Sequence, residues 1–360
     1  MNDKKETNRR DFFTAPWDRG AANEPAEVLP SFLTPTVSHL ECYSRNAMAC
    51  QFELMFNMHQ FPNAAEISLN AFEQIEQFEE QMSIYRETSE VSFINNHAAQ
   101  QSVEVEHRLF DLLAISKSIH ELTAGAFDIT SGPLSDLWGF SRRSGQVPAD
   151  EKIEKTLGRV GFEHLELNDR FVRFKRSGVA INLGAIGKGY ALDHVANSIE
   201  QSGITDFIIH GGQSSVIARG SNATLDQQSG WNVGLSHPLI PSSRFAEIRL
   251  NDLALGTSGT GRQGFFHQSK RYGHIIDPRS GYPTNHNLST TVICKSAARA
   301  DALATGFFVM TLEQIEAICD QDQSILAIIV TAGDDTNRPV IKSFNVGDDI
   351  LKLNRNGSEP

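Results

Sequence analysis

The sequence predicts an α+β fold, with mixed or antiparallel sheets and helices packed against them. Helix-period and strand-period segments are interleaved without strict β–α–β alternation. No internal repeat divides the chain, and no interior linker separates one part from another. Its 360 residues, 40% hydrophobic and 21% charged, are ordinary for a globular protein and enough for one large domain or two closely packed ones.

Taken in order, residues 1–35 are polar, Pro-containing and aperiodic, and read as a flexible arm. Leu40 to Phe56 is strand-like. Pro62 to Tyr85 carries Ala65, Ile67, Leu69, Phe72, Ile75 and Phe78 at near-helical spacing, and residues 106–123 repeat that pattern. Val172 to Leu183 reads as a strand, followed by a Gly-rich turn and a helix from about Lys188 to Gln201. Further strands are expected at Phe207–Gly212, Trp231–Leu235, Phe245–Leu253, Leu288–Cys294 and Ile325–Thr331. Helices are expected at Ala297–Thr311 and Leu312–Asp320. The body of the protein is thus 36–345, and 346–360 reads as a frayed tail.

The net charge of −12 argues against a general nucleic-acid binder, which needs a basic field. One phosphorylated ligand remains compatible, because a helix N-terminus or a bound metal neutralises it locally. Cys42, Cys50, Cys294 and Cys319 lack both C-x-x-C pairing and His at ligand spacing, so reduced thiols are expected and zinc is not. No apolar run reaches the length of a membrane span. Asn8-Arg9-Arg10-Asp11-Phe12-Phe13 is similar to a twin-arginine export signal, but the residues after it are polar and broken by Pro16. A cytoplasmic location is therefore expected, with export as the alternative.

Five segments carry candidate chemistry. In Gly125–Leu134, Asp128, Thr130 and Ser131 crowd a turn after a helix end. In Asn182–Tyr190, three glycines precede a helix N-terminus that holds Lys188. A tight structural turn and a phosphate site are both open there, and the P-loop spacing is absent. Gly211-Gly212-Gln213-Ser214-Ser215 ends a strand and reads as a bend or bulge. Gly256–Gly261 is followed by a turn with His274, Asp277 and Arg279 within six residues, where a structural histidine and a proton-transfer group are both open. Asp301 and Thr305 share a helix face with small apolar neighbours. That pairing suits either an internal hydrogen bond or an all-oxygen Mg²⁺ or Ca²⁺ site.

GAFDITSGPLSDLWGF, INLGAIGKGYALD, HGGQSS, GTSG, RYGHIIDPRSGYP and ADALAT follow one another in that order. Together they resemble the FAD:protein FMN transferase family, often called ApbE-like, over about residues 36–345, and MSIYRETSEVSFIN is similar to its early loop. The resemblance implies that fold and a flavin-nucleotide site at Met48, Tyr85, Ala126, Phe127, Asp128, Asn182, Lys188 and Ile275. It implies a Mg²⁺ site formed by Asp301, Thr305 and the main-chain oxygens of Ala185 and Ala304, and a base at His274 with Asp277 and Arg279 beside it. FAD would be the substrate and AMP a product. The acceptor would be a Thr or Ser of a partner flavoprotein, typically a subunit of a redox complex. A Mg²⁺-dependent FAD pyrophosphatase and a non-catalytic FAD-binding accessory protein are the alternatives. Three positions depart from the family pattern: Asn182 in place of Asp, Gln213 after the double glycine, and Ala49-Cys50-Gln51 after Met48.

Overall fold

The computed structural model describes residues 40–354 except 143, 223–228, 241, 261–263 and 334–338. The arm expected at 1–35 lies outside the described residues, as do Gly261 of the fourth segment and the end of the tail from 355.

The chain opens with a hairpin rather than one strand. β1 (Leu40–Ala47) and β2 (Cys50–Asn57) pair antiparallel across a two-residue turn. Met48 and Ala49 both have positive φ there, the backbone twist that a tight hairpin requires. α1 (Ala64–Met82) buries Ala64, Ile67, Ala71, Phe72, Ile75, Phe78 and Met82; Ile67, Phe72, Ile75 and Phe78 belong to the stripe expected from the sequence, whereas Ala65 and Leu69 of that stripe are exposed. α2 (Glu90–His97), a short β3 (Val103–Glu104) and α3 (His107–Leu122) follow, then a 3₁₀ turn at Ile129–Ser131 running into α4 (Gly132–Leu137) and α5 (Asp150–Leu157). β4 (Leu165–Asn168) and β5 (Phe171–Phe174) complete a small sheet with β3.

The strand expected to run to Leu183 stops at Phe174. Beyond it, the Ile181 backbone bonds to a side chain: Ile181 N–H donates to Asn95 Oδ1 at 2.8 Å, and Asn95 Nδ2 donates to the Ile181 carbonyl at 3.0 Å. Asn182 N–H goes to the Ile129 carbonyl at 2.7 Å. The backbone is satisfied without a ladder, so the segment is free to leave the sheet and enter α6 (Gly187–Gln201).

β6 (Phe207–Gly211), β7 (Ser215–Arg219), β10 (Ala254–Gly259), β13 (Asn287–Cys294), β14 (Leu326–Thr331) and β15 (Val340–Phe344) join β1 and β2 in one eight-stranded sheet, ordered β1-β2-β6-β7-β10-β13-β14-β15. Every pair in it is antiparallel. The Gly-rich stretch 256–259 forms the last four residues of β10. β8 (Trp231–Ser236) and β9 (Arg244–Leu250) form a second sheet with β16 (Leu351–Leu353), and β11 (Gly264–His267) and β12 (Lys270–Gly273) form a hairpin. β16 corrects the reading of 346–360 as frayed throughout: its backbone pairs with β9, with Leu351 opposite Ile248.

α7 (Ala297–Val309) packs against β10, β13 and α6, and α8 (Leu312–Gln321) follows it. α7 is buried almost all round. Asp193 receives the N–H groups of Ala297 and Ala298 at its start, and the Asn287 amide donates to the carbonyls of Phe307, Phe308 and Met310 at its end. Two glycines let it lie so close. A Cβ at Gly189 would come 2.1 Å from the Ala297 carbonyl oxygen, and one at Gly256 would come 2.5 Å from the Ala300 backbone. Among the described residues no helix is long and apolar enough to cross a membrane.

Candidate active site

A cleft of about 810 Å³ opens where the ends of β7, β10 and β12 meet the N-terminus of α6 and one face of α7. Its wall includes Tyr85, Ala126, Phe127, Asp128, Asn182, Ala185, Lys188, His274, Ile275, Asp301 and Thr305, drawn from segments more than two hundred residues apart. Met48, Asp277, Arg279 and Ala304 are not among the lining residues. A larger concavity, about 1990 Å³, lies over β9 and β16 and holds none of the sequence-predicted residues, so the chemistry belongs to the smaller one.

Asp301 is, with Asp128, a buried carboxyl of the cleft. Its Oδ2 accepts hydrogen bonds from the Gly189 N–H at 2.9 Å and the Ser215 hydroxyl at 2.8 Å, with Lys188 Nζ 4.0 Å away. Burial pushes its carboxyl pKa up, against the opposing pull of Lys188 and of those two donors. One turn on, Thr305 Oγ1 lies 3.0 Å from Ser258 Oγ and 3.3 Å from the Asp301 carbonyl oxygen. Among the described residues the hydrogen bonds and ion pair of the carboxylate fall on Oδ2, and Oδ1 is the oxygen that would face a cation. Among the described residues no three His, Cys, Asp or Glu cluster as metal ligands. One under-compensated carboxylate with hydroxyl and carbonyl oxygens therefore fits a hard divalent cation and not zinc. Ala304 fits least well, being fully buried with its carbonyl already accepting from Thr290 Oγ1 at 2.6 Å.

The glycines of 184–189 divide into separate roles. Gly184 N–H donates to Asn182 Oδ1 at 2.9 Å, Ile186 and Gly187 N–H donate to the Leu183 carbonyl, and Gly189 N–H goes to Asp301. These amides are engaged within the protein. The positive element that the turn offers the cleft is the Lys188 ammonium, at the start of α6.

Asp128 is held from both sides. Its Oδ1 accepts from Thr130 N–H at 2.7 Å and Thr130 Oγ1 at 2.6 Å, and its Oδ2 lies 3.1 Å from His120 Nδ1. Tyr85, 69% exposed, presents a broad aromatic face suited to a planar ring.

His274 follows β12 directly and is half-buried in the cleft wall. The turn after it is anchored by Trp138, whose Nε1–H donates to the Gly281 carbonyl at 2.9 Å, and by an Ile276–Pro283 bridge. Asp277 and Arg279 bond to each other: Arg279 Nε and Nη2 reach the two Asp277 carboxylate oxygens, each at 2.9 Å. That bidentate pair braces the turn carrying His274, and neither member reaches the cleft wall. Met48 is likewise structural in placement. Its N–H donates to Glu79 Oε2 at 2.9 Å and it packs against the core.

Sequence reading passed over Ser215, Ser258, His237 and His120. Ser215 and Ser258 stood inside segments already singled out, but only the sheet register brings them to Asp301 and Thr305. His237 lines the cleft with its Nδ1 accepting the N–H groups of Leu239 and Ile240, so its proton sits on Nε2. No local pattern marks it.

The ApbE family model matches residues 48–329. The FAD:protein FMN transferase of Vibrio cholerae is 32% identical over 274 residues, 75% of this chain and 81% of that protein. The Escherichia coli protein of the same name is 29% identical over 296 residues, 79% of this chain and 83% of that protein. Among solved structures, an ApbE protein from Thermotoga maritima aligns with TM-score 0.75 at 28% identity, over 84% of this chain and 96% of that one. The flavin transferase ApbE from Vibrio cholerae aligns with TM-score 0.74 at 27% identity, over 85% and 96%. Matched by the family model over well more than half its length, and by these relatives over most of theirs, the chain belongs to the ApbE family and is an enzyme of the transferase class.

Proposed function

We propose that the protein transfers the FMN half of FAD to a Ser or Thr hydroxyl of a partner flavoprotein and releases AMP, with Mg²⁺ as cofactor. The observation that carries this reading is the meeting, in one cleft, of the buried Asp301 carboxylate, Lys188, the Thr305 hydroxyl and His274. Asp301, Thr305 and the main-chain oxygens of Ala185 and Ala304 would hold the Mg²⁺, which would supply charge neutralisation to the pyrophosphate. Lys188, whose Nζ lies 4.0 Å from Asp301 Oδ2, binds a phosphate oxygen. Tyr85 stacks on a ring of the nucleotide, and Ala126, Phe127, Asp128, Asn182 and Ile275 form the walls that position it. His274 accepts the proton of the acceptor hydroxyl as that oxygen bonds to the FMN phosphorus. The phosphorus–oxygen bond to AMP breaks in line, and AMP leaves with the bonding pair. The acceptor is expected to be a subunit of a redox complex.

Intact-mass measurement of a candidate acceptor after incubation with enzyme, FAD and Mg²⁺ tests the reading. Addition of one FMN moiety with one AMP released is the expected result. Free FMN and AMP with an unmodified acceptor would make it a pyrophosphatase, and intact FAD would make it a carrier. His274→Ala is expected to lose transfer by about 10²- to 10⁴-fold while still binding FAD; equal loss of binding and transfer would remove His274 from the proton step. Asp301→Ala is expected to abolish the response to added Mg²⁺.

A further inference from the structure

His120 does not line the cleft, yet it governs a residue that does. It stands at the C-terminal end of α3, with Nδ1 3.1 Å from Asp128 Oδ2 and 3.1 Å from the Phe127 carbonyl oxygen. Both neighbours are acceptors, so Nδ1 carries a hydrogen in every protonation state and bridges the two. The other imidazole nitrogen is therefore the one that gains or loses charge. Its ring packs against Phe162 at 4.9 Å between centroids, and the Asp128 side chain is buried in the cleft wall.

We propose that His120 is a positioning residue of the nucleotide cleft: it fixes Asp128 and the Phe127 carbonyl in the wall and, when protonated, cancels the Asp128 charge beside an anionic dinucleotide. The proposal rests on the reading that FAD occupies this cleft. Burial alone would lower the His120 pKa, but the hydrogen bond and charge of Asp128, the Phe127 carbonyl and Glu163 together raise it above the ordinary histidine value. Arg279 brings a cation near the ring. A Cβ on Gly125 would stand 3.6 Å from both Arg279 Cγ and His120 Cε1, and that guanidinium is already paired with Asp277. With a raised folded-state pKa, the imidazolium persists below that pKa and is lost as pH rises through it. The wall is then neutral on the acid side and carries one negative charge on the alkaline side.

The test is flavin-fluorescence titration of the full chain with FAD, in EDTA and without acceptor, at about pH 6 and about pH 8.5, two values that bracket a histidine titration. Wild type is expected to bind about fivefold tighter at the lower pH, the scale of one charge acting across a protein wall. His120→Asn keeps a donor but no charge. It is expected to bind with the same affinity at both pH values, matching wild type at the higher one. His120→Ala removes the donor as well and is expected to fall about a further tenfold at both. A wild-type pH ratio retained in His120→Asn, or wild-type affinity at both pH values in His120→Ala, overturns the proposal. If His120→Ala does not fold, the His120→Asn ratio decides it. Wild type that binds no FAD at either pH overturns the functional reading itself, which is a different failure from a pH ratio that survives the variant.

Discussion

Ser215 is fully buried at the start of β7, and its hydroxyl points one hydrogen bond at Asp301 Oδ2. Together with the Gly189 N–H it fixes which carboxylate oxygen is free. Supporting bonds of this kind typically change metal affinity about 10- to 100-fold. Ser215→Ala is therefore expected to weaken Mg²⁺ binding by about that factor in a calorimetric titration, with FAD absent. Unchanged Mg²⁺ affinity would mean that the helix alone holds Asp301. At this scale the sequence was legible where a residue and its partner were neighbours in the chain, as with Lys188 at the helix start. It was legible too in the tight turn that holds Asp277 and Arg279 two residues apart, where they bond to each other. It was silent where the partner came from another strand, as with Ser215.

α7 owes its position to two missing side chains. At Gly189 and Gly256 a methyl group would meet backbone, which cannot swing aside as a side chain end does. Overpacking of this kind costs about 1–3 kcal/mol and displaces the elements involved. Gly256→Ala is expected to lower the thermal midpoint by several degrees, on the usual scale of about 2–4 °C per kcal/mol for chains of this class. It should also weaken Mg²⁺ binding, because the Ala300–Asp301 backbone is what the new methyl group displaces. A variant as stable as wild type would show that β10 and α7 can separate without loss. Elements with an apolar stripe, such as α1, could be read from sequence because burial on one face imposes a period. β10 could not, since glycines chosen for close approach look the same in a sequence as glycines chosen for a turn.

Across the molecule, buried and half-buried histidines tie stability to pH. His194, His210 and His237 all have pKa values lowered by burial, joined at His194 by the Arg108 charge and opposed at His210 by Glu53. Each binds fewer protons folded than unfolded. The stability it lends is complete above the ordinary histidine pKa and declines as pH falls through that value toward the folded one. His120 has the opposite sign, and raised carboxyls at Asp193 and Asp301 oppose the loss as well, so the net curve mixes several groups. His237 can be isolated. Gln in its place can still accept the Leu239 and Ile240 N–H groups but cannot titrate, so His237→Gln is expected to lose less thermal stability than wild type between about pH 7.5 and 5.5. An identical decline in both proteins would show that His237 remains neutral throughout. The α+β class was legible at this scale because the mixture of periods does not depend on register, whereas strand order does. The cleft draws Asp128 from the start of the 3₁₀ turn, Lys188 from α6, Ser258 from β10 and Asp301 from α7, and β10 is paired with β13, which is in turn flanked by β14. On the ribosome, then, a nascent chain exposes the β10 edge and an incomplete cleft wall until β13 and α7 have been made. Flavin cannot guide the early steps of folding, and that edge is the surface a chaperone would have to cover.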